Sequence, residues 1–342
     1  MKAVEQTKNR EGAGECDDDL RRVGVVVIGR NEGLRLQRCF DTLPAGLQQV
    51  VYVDSGSTDD SVAQAMRRGV EVVALDMSTP FTAARARNAG FRRLLELQPG
   101  TEFVQFVDGD CELLPGWLAG AVAALASEPD VAVACGRLRE RFRDASIYNR
   151  LCDLEWDGPV GDVFACGGNA MMRVRALRTA GGFTERLIGG EEPELCVRLR
   201  SQGHRVVRLA ADMALHDAAM TRFGQWWKRA VRYGYGTAEL AGMHPAAFRR
   251  EALSLIGWGL VWPAVACGTA LVTGGFGLLL LAAYPARWLK ILVRRRAEGT
   301  AVADAALYAS SCVVASWPAV LGIAKFRWNK ARGRRATLFE YK

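Results

Sequence analysis

The chain has 342 residues, 50% of them hydrophobic, and its 45 Lys and Arg against 37 Asp and Glu give a formal net charge of +8. This length and composition allow one large α/β domain with an appended region, or two ordinary domains. The 9 cysteines are scattered without close pairs, which excludes a small disulfide framework and a paired-cysteine zinc site and predicts reduced thiols.

The N-terminal residues 1–22 are polar and charged, with few aromatic or β-branched side chains, and are predicted to form a disordered tail. They contain no apolar stretch of the kind found in secretory signals, so the ordered part of the chain is expected to stay in the cytosol. The first apolar run, at 23–28, is β-branched and predicts a buried parallel strand. It leads into a loop with Asn31 and Glu32, and a helix is expected before Pro44.

The pattern of strand, polar loop and helix then repeats. Strands are predicted at 49–53, 70–75 and 103–107, and helices at 61–68 and 82–97. This alternation predicts an α/β fold with an open, mainly parallel sheet and right-handed crossovers. Ligands bind such sheets beyond the carboxyl ends of the strands, where the acidic loops at Asp54 and Asp108 are both expected.

The C-terminal part is dominated by apolar segments with basic flanks. Residues 253–284 contain no charged residue and exceed one upright span of about 20 residues, which predicts a hairpin of two short membrane helices turning near Gly274. The basic flanks predict that both ends of the hairpin lie on the cytoplasmic side of the membrane. A further stretch at 301–324 is expected to form a third span or an interfacial helix. The alternative for 253–284 is a buried helical core.

The excess of Lys and Arg lies mostly beyond residue 220, next to these apolar segments. This placement predicts contact with anionic lipid head groups and argues against nucleic acid as a partner. The alternative is a solvated basic face without a partner.

Asp108 and Asp110 follow the fourth predicted strand with one glycine between them. Two carboxylates so close together are costly to bury unless a cation neutralises them. Mg²⁺ and Mn²⁺ bind through one or two carboxylates together with phosphate oxygens, so the pair predicts a metal site. The alternative is ordinary turn chemistry, which uses the same residue types.

Asp54 and Arg87 are candidates for nucleotide contacts. A carboxylate at the end of the second strand can accept hydrogen bonds from a nucleobase or a ribose, although Asp54 could instead cap the next helix. Arg87, followed by Asn88, lies within the helix predicted at 82–97 and could reach a phosphate group. The alternative for Arg87 is a solvated helix face.

Glu191 and Glu192 stand next to Pro193, which suits the first turn of a helix. One of these acids could act as a general base, and the alternative is simple stabilisation of the helix N-terminus. His216 closes an apolar run, and histidine is a common metal ligand, although a lone histidine often has a structural role.

These segments, in this order, resemble the family 2 glycosyltransferases, which have the GT-A fold. The matching segments are 25–32, with its Asn-Glu, the Asp-x-Gly-Ser-Thr-Asp run at 54–59, the Ala-Arg-Asn-x-Gly helix at 86–90, the Asp-x-Asp at 108–110 and the acidic segment at 190–195. The resemblance covers residues 23 to about 236. It predicts a glycosyltransferase that inverts the anomeric centre.

The resemblance also implies roles for individual residues. The nucleotide-sugar donor, with a UDP-sugar favoured and a GDP-sugar as the alternative, is expected to contact Asn31, Glu32, Asp54, Arg87, Asn88 and Asp108. A Mg²⁺ or Mn²⁺ ion is expected at Asp108 and Asp110, with His216, a candidate from its residue type, as the third ligand. Glu192 is the expected base with Glu191 in support, although the family more often has Asp at this position, so Glu191 could be the base instead.

The apolar C-terminal part resembles the tail of bacterial membrane-associated members of the family. It implies a protein of the inner membrane with its catalytic domain on the cytoplasmic side and a lipid-linked, envelope or exopolysaccharide glycan as acceptor. The predicted domains are a tail at 1–22, a GT-A domain at 23–240 and a membrane-anchoring region at 241–342. The rival interpretations are a nucleotidyltransferase and a catalytically inactive membrane scaffold, and the sequence does not determine the oligomeric state.

Overall fold

The structure is a computed structural model that describes residues 20–45, 47 and 49–334. The predicted tail at 1–22 therefore lies almost wholly outside the described residues. The chain divides into two compact units. Among the described residues, the sheet unit comprises those up to Arg141 together with Asp157–Arg186 and Glu191–Asp217. The helical unit comprises Phe142–Trp156, Leu187–Gly190 and the described residues from Ala218 onward. The boundary at residue 240 stays a prediction from sequence.

Within the described residues, nine strands form one mixed sheet in the sheet unit. They are β1 (Val23–Gly29), β2 (Gln49–Asp54), β3 (Glu71–Ala74), β4 (Phe103–Asp108), β5 (Cys111–Leu113), β6 (Val131–Glu140), β7 (Gly161–Asp162), β8 (Ala170–Arg173) and β9 (Arg205–His216). Their order is β3-β2-β1-β4-β8-β6-β9-β5, with β7 paired to β9. The first four strands are parallel, as the sequence predicts, and β8 continues the sheet antiparallel to β4.

The helices are α1 (Leu34–Asp41), α2 (Ser61–Arg67), α3 (Ala83–Leu97), α4 (Trp117–Ser127), α5 (Ile147–Trp156), α6 (Val174–Thr179), α7 (Glu191–Ser201), α8 (Phe223–Met243), α9 (Pro245–Ile256), α10 (Trp262–Val272), α11 (Ala283–Ala297), α12 (Val302–Val314) and α13 (Ser316–Ala331). Alternate residues of β1 enter two separate hydrophobic clusters, Val26 in one and Val25 in the other. Side chains of a strand point to opposite faces, so β1 is buried on both faces, as its continuous apolar run predicts.

Helix α3 packs closely against the parallel strands. A side chain at Gly90 would come within 2.4 Å of Val26 and 2.8 Å of Val53, so only glycine allows this approach. Thr82 caps the helix by accepting a hydrogen bond from the backbone N–H of Arg85 at 3.1 Å. This packing holds the rest of α3, including Arg87, in a fixed position over the sheet.

In the helical unit, α8 and α13 approach each other through small residues. A side chain at Gly234 would come within 2.0 Å of the carbonyl oxygen of Ala319, and one at Gly322 within 2.0 Å of that of Val231. The long helix α8 is therefore held directly against the backbone of α13.

Three helical segments of the helical unit are long and apolar enough to cross a membrane: Pro245–Val272, Phe276–Ala297 and Val302–Ala331. The chain turns between the first two at Gly274 and Gly275, which have φ of 60° and 99°, where the hairpin was predicted. Only 6% of the apolar window in each of these two segments is buried, so the alternative of a buried helical core is wrong.

Candidate active site

The loops that follow β1, β2 and β4 lie side by side at one edge of the sheet. In the parallel register, Gly29 of β1 is opposite Asp54 of β2, and Ile28 is opposite Asp108 of β4. Strand β1 thus lies between the two acidic loops, as expected for the carboxyl edge of a parallel sheet.

The loop after β1 is tied to the loop after β2. Asn31, with φ of 56°, accepts a hydrogen bond from the backbone N–H of Thr58 at 2.7 Å and donates its own N–H to Ser57 Oγ at 2.9 Å. The backbone N–H of Glu32 donates to Ser61 Oγ at 3.2 Å. The Asn-Glu segment therefore has a structural role in shaping this edge, whatever it contributes to binding.

Asp54 is 5% exposed and organises its own loop. Its carboxylate accepts the backbone N–H of Gly56 at 3.0 Å and that of Ser57 at 2.9 Å, and it also accepts the hydroxyl of Tyr52 at 3.2 Å. Burial, and then the charge of Asp54, raise the pKa of Tyr52, so that hydroxyl stays a donor. Asp54 does not cap the next helix, whose N-terminal flank is Asp60.

Arg87 is buried and contacts three carboxylates. Its side chain is 3% exposed, and its guanidinium contacts Asp108 at 2.9 Å, Glu191 at 3.1 Å and Glu192 at 2.8 Å. We call these four residues the Arg87 cluster. The alternative of a solvated helix face for Arg87 is wrong, because α3 directs this residue inward.

One guanidinium does not neutralise the carboxylates of the Arg87 cluster. Burial, and next the charge of Glu191, raise the pKa of Glu192 from 4.5 to about 7, although Arg87 acts in the opposite direction. For Arg87, burial acts to lower the pKa, but the charges of Glu192, Asp108 and Glu191 together raise it, so it remains a cation. The cluster keeps an excess of negative charge and holds one carboxyl group that titrates near neutral pH.

Gly168 and Asn169, neither of which was predicted as a site residue, also border this site. A side chain at Gly168 would come within 2.3 Å of Arg87 Nη2 and 2.8 Å of Asp108 Oδ2. Asn169 is 3% exposed, accepts the backbone N–H of Asp108 at 3.0 Å and donates to its carboxylate at 3.4 Å. The available signal was the Gly-Gly turn that precedes Asn169.

Asp110 meets His216 because β5 and β9 are paired. Cys111 is opposite His216 in the antiparallel register, which brings His216 Nε2 to 3.2 Å from Asp110 Oδ2. One ligand atom from each of Asp110, Cys111 and His216 lies within 4.8 Å of the others. Two of the three predicted metal ligands are thus together, whereas Asp108 contacts Arg87 and Asn169.

The chemistry of this donor set fits a divalent ion that binds oxygen and nitrogen. Asp110 is 5% exposed and offers a carboxylate, and His216 offers an imidazole nitrogen. Burial, and then the charge of Asp108, raise the pKa of Cys111 well above its usual range, which keeps it a thiol and a poor ligand. The residues present therefore suit Mg²⁺ or Mn²⁺ better than a thiolate-bound metal.

Asn88, the remaining predicted contact, holds the segment that precedes α7. Its amide donates to the carbonyl of Phe183 at 2.9 Å and to Glu185 at 3.0 Å, and it accepts the backbone N–H of Phe183 at 2.9 Å. Its polar atoms are thus engaged within the protein, and Asn88 positions the 183–185 segment.

Comparison with known proteins identifies the family of the chain. The model of glycosyl transferase family 2 matches residues 24–181, and that of glycosyl transferase family group 2 matches residues 103–320. The pre-mycofactocin glycosyltransferase of Mycobacterium tuberculosis is 29% identical over 88% of this chain and 66% of its own length. The succinoglycan biosynthesis protein ExoA of Rhizobium meliloti is 25% identical over 53% of this chain and 59% of its own length. The chain thus spans under two thirds of these relatives.

Among solved structures, the mannosyltransferase of Pyrobaculum calidifontis, in complex with GDP-Man and Mn²⁺, superposes with a TM-score of 0.63. The two chains are 21% identical, and the match covers 90% of this chain and 88% of the other. The similarity establishes a common fold.

Proposed function

We propose that this chain, which belongs to the family 2 glycosyltransferases and has the GT-A fold, moves a sugar from a nucleoside-diphosphate sugar to a hydroxyl group. The displacement depends on a metal ion and inverts the anomeric centre. The observation that carries this proposal is the contact between Asp110 and His216. Asp110 comes just after strand β4, whose last residue, Asp108, belongs to the Arg87 cluster. It supports a metal site beside a candidate base at this edge of the sheet.

Asp110 and His216 would hold the divalent ion, and Asp108 lies two residues before Asp110. When bound, the ion would neutralise negative charge on the phosphates of the departing nucleoside diphosphate. Arg87 is charged and buried beside Asp108, so it fixes the orientation of that carboxylate. Asp54, held by the backbone of its own loop, is the proposed contact for the nucleoside.

Glu192 is the proposed general base. Its pKa of about 7 lies near working pH, where a base combines a useful ionised fraction with a real affinity for the proton. Glu191 is more buried than Glu192 and contacts the same guanidinium, so we assign it the role of positioning Arg87. The acceptor hydroxyl gives its proton to Glu192 as it attacks the anomeric carbon, and the bond to the nucleoside diphosphate breaks on the opposite side.

We further propose that the protein lies at the cytoplasmic face of the inner membrane and uses a lipid-linked or envelope-glycan acceptor. The three long apolar helices and the basic flanks support this location, and the relative named for succinoglycan biosynthesis supports a glycan acceptor. The relative named as a pre-mycofactocin glycosyltransferase supports a second candidate, a small hydroxyl-bearing acceptor.

A thermal-shift panel of the full-length protein with UDP-, GDP- and dTDP-sugars, each with and without Mn²⁺, tests the proposal. A donor at about 100 times its Kd should stabilise the protein by roughly 2.7 kcal/mol. We expect one nucleotide class to stabilise the protein, only with Mn²⁺, and the shift to vanish in Asp110→Asn. Stabilisation that persists in Asp110→Asn, or in the absence of Mn²⁺, would contradict the metal assignment.

A further inference from the structure

Aromatic side chains cluster at the base of the apolar hairpin in the helical unit. The ring centroid of Trp258 lies 6.2 Å from that of Trp262 and 5.7 Å from that of Tyr284, and Tyr284 lies 5.7 Å from Trp317. The hydroxyl of Tyr284 donates to the carbonyl of Trp258. Trp and Tyr are enriched at the boundary between lipid and water, so this cluster has the composition of a membrane-interface belt.

The chain beyond this belt is apolar and exposed. Between Trp262 and Tyr284 there is no charged residue, and Leu271, Val272 and Phe276 at the tip are 88%, 84% and 75% exposed. Helix α10 has 11 residues and rises about 16 Å, roughly half of a hydrocarbon core of about 30 Å. With the belt at the interface, the tip would lie within the lipid.

Arg287 sits within the belt. Its guanidinium lies 4.8 Å from the ring centroid of Trp258, donates to Ser316 Oγ at 3.0 Å and reaches the carbonyl of Cys312 at 3.3 Å. These partners are neutral. Within the described part of the chain, Arg287 has no ion pair with a carboxylate, although it is only partly exposed.

Three other arginines of the helical unit pair with carboxylates. Arg143 and Arg150 both pair with Asp304, and Arg143 also contacts Asp153 at 3.0 Å. Arg294 lies 3.5 Å from Glu298 and is 68% exposed. Arg287 thus differs in being held by neutral groups within the aromatic belt.

We propose that Arg287, backed by Trp258, binds the phosphate group of an anionic membrane lipid. A guanidinium offers paired donors to phosphate oxygens, and the aromatic face helps to hold its plane. The phosphate can belong to a bulk anionic phospholipid or to a prenyl monophosphate of the kind that carries glycans. The second source rests on the lipid-linked acceptor of the proposed function, whereas the first requires only membrane association.

Co-sedimentation of the purified full-length protein with three kinds of vesicle tests the inference: phosphatidylcholine alone, phosphatidylcholine with phosphatidylglycerol, and phosphatidylcholine with a long-chain prenyl monophosphate at matched surface charge. The variants are Arg287→Gln, Arg287→Lys and, as the matched control, Arg294→Gln. Mn²⁺-dependent nucleotide binding is measured on each variant, so that loss of the proposed enzyme function is seen separately.

We expect Arg287→Gln to weaken binding to one or both anionic vesicles by about fivefold or more, the effect of one basic residue at an anionic surface. Phosphatidylcholine binding and nucleotide binding should not change, and Arg287→Lys should fall between wild type and Arg287→Gln. Equal loss on both anionic vesicles identifies bulk phospholipid, and a larger loss on the prenyl phosphate identifies that lipid. If Arg287→Gln and Arg287→Lys bind every vesicle as Arg294→Gln does, the inference is overturned.

Discussion

Replacing Glu192 by Gln should stabilise the protein at pH 8 while it removes the proposed base. In the folded chain, Glu192 shares one guanidinium with Glu191 and Asp108, and burial raises its pKa from 4.5 to about 7. Because the folded pKa is the higher one, the native state binds the proton more tightly than the unfolded state. The stability that this carboxyl group contributes is therefore complete below its unfolded pKa and is lost as the pH rises through about 7.

The size of the effect follows from that difference in pKa. At about 1.4 kcal/mol for each pKa unit, ionisation of Glu192 lowers the free energy of unfolding by about 3 kcal/mol at pH 8 relative to the protonated form. The amide in the Glu192→Gln variant is uncharged at every pH, so the variant does not lose this stability when the pH rises. For a unit of 150–250 residues, about 3 kcal/mol corresponds to a rise in Tm of roughly 6–12 °C at pH 8, with little difference at pH 5.

Differential scanning fluorimetry of wild type and Glu192→Gln from pH 5 to 8.5, without metal or nucleotide, measures this difference in Tm directly. Transfer activity should fall by roughly 10²–10⁴-fold in the same variant. Glu194→Gln is the matched control, because Glu194 is 1% exposed and accepts hydrogen bonds from Arg198 at 2.7 Å and Thr184 at 2.8 Å. The Glu194→Gln variant should be less stable than wild type at every pH. A Tm difference for Glu192→Gln that does not grow between pH 5 and pH 8 would refute the reasoning.

In wild type, kcat/KM should rise with pH and level off above about pH 7 as Glu192 ionises; a flat profile between pH 5.5 and 8 would exclude it as the base. Gly168→Ala should lower transfer by about 100-fold, because the added methyl group would displace the Arg87 cluster. Gly167→Ala, whose methyl group would meet no atom within 4 Å, should keep normal activity, and equal rates in both variants would contradict this. The double change Leu271→Asp and Leu279→Asp should release the protein from carbonate-washed membranes without altering nucleotide binding, whereas retention in the pellet would argue against insertion of the hairpin.

The parallel half of the sheet could be predicted because its strands are buried on both faces. A continuous β-branched run such as 23–28 has few other stable environments, and β1 is observed at Val23–Gly29. The acidic loops at Asp54 and Asp108 followed from the same pattern, since each begins where an apolar run ends. The hairpin turn was likewise marked by adjacent glycines in an uncharged segment.

Asp110 and His216 were predicted as ligands of one ion, but the reason for their contact could not be predicted, because it depends on the pairing of β5 with β9, strands far apart in the sequence. The burial of Arg87 has a signal in the sequence. Ala84, Arg87, Asn88 and Phe91 have the spacing of one helical stripe, and all of them are buried in α3. A charged residue on the buried face of a helix indicates a buried ion pair. Arg87 forms such pairs within the Arg87 cluster.

The most direct test of the central claim is calorimetric titration of nucleoside diphosphate into wild type and Asp110→Asn, each with and without Mn²⁺, with the surface variant Asp212→Asn as control. We predict Mn²⁺-dependent binding in wild type and in the control. In Asp110→Asn, the affinity should fall by more than the roughly 10–100-fold typical of changes outside the ligand shell. Binding of equal affinity in all three proteins, or binding that does not respond to Mn²⁺, would contradict a metal-held pyrophosphate at this edge of the sheet.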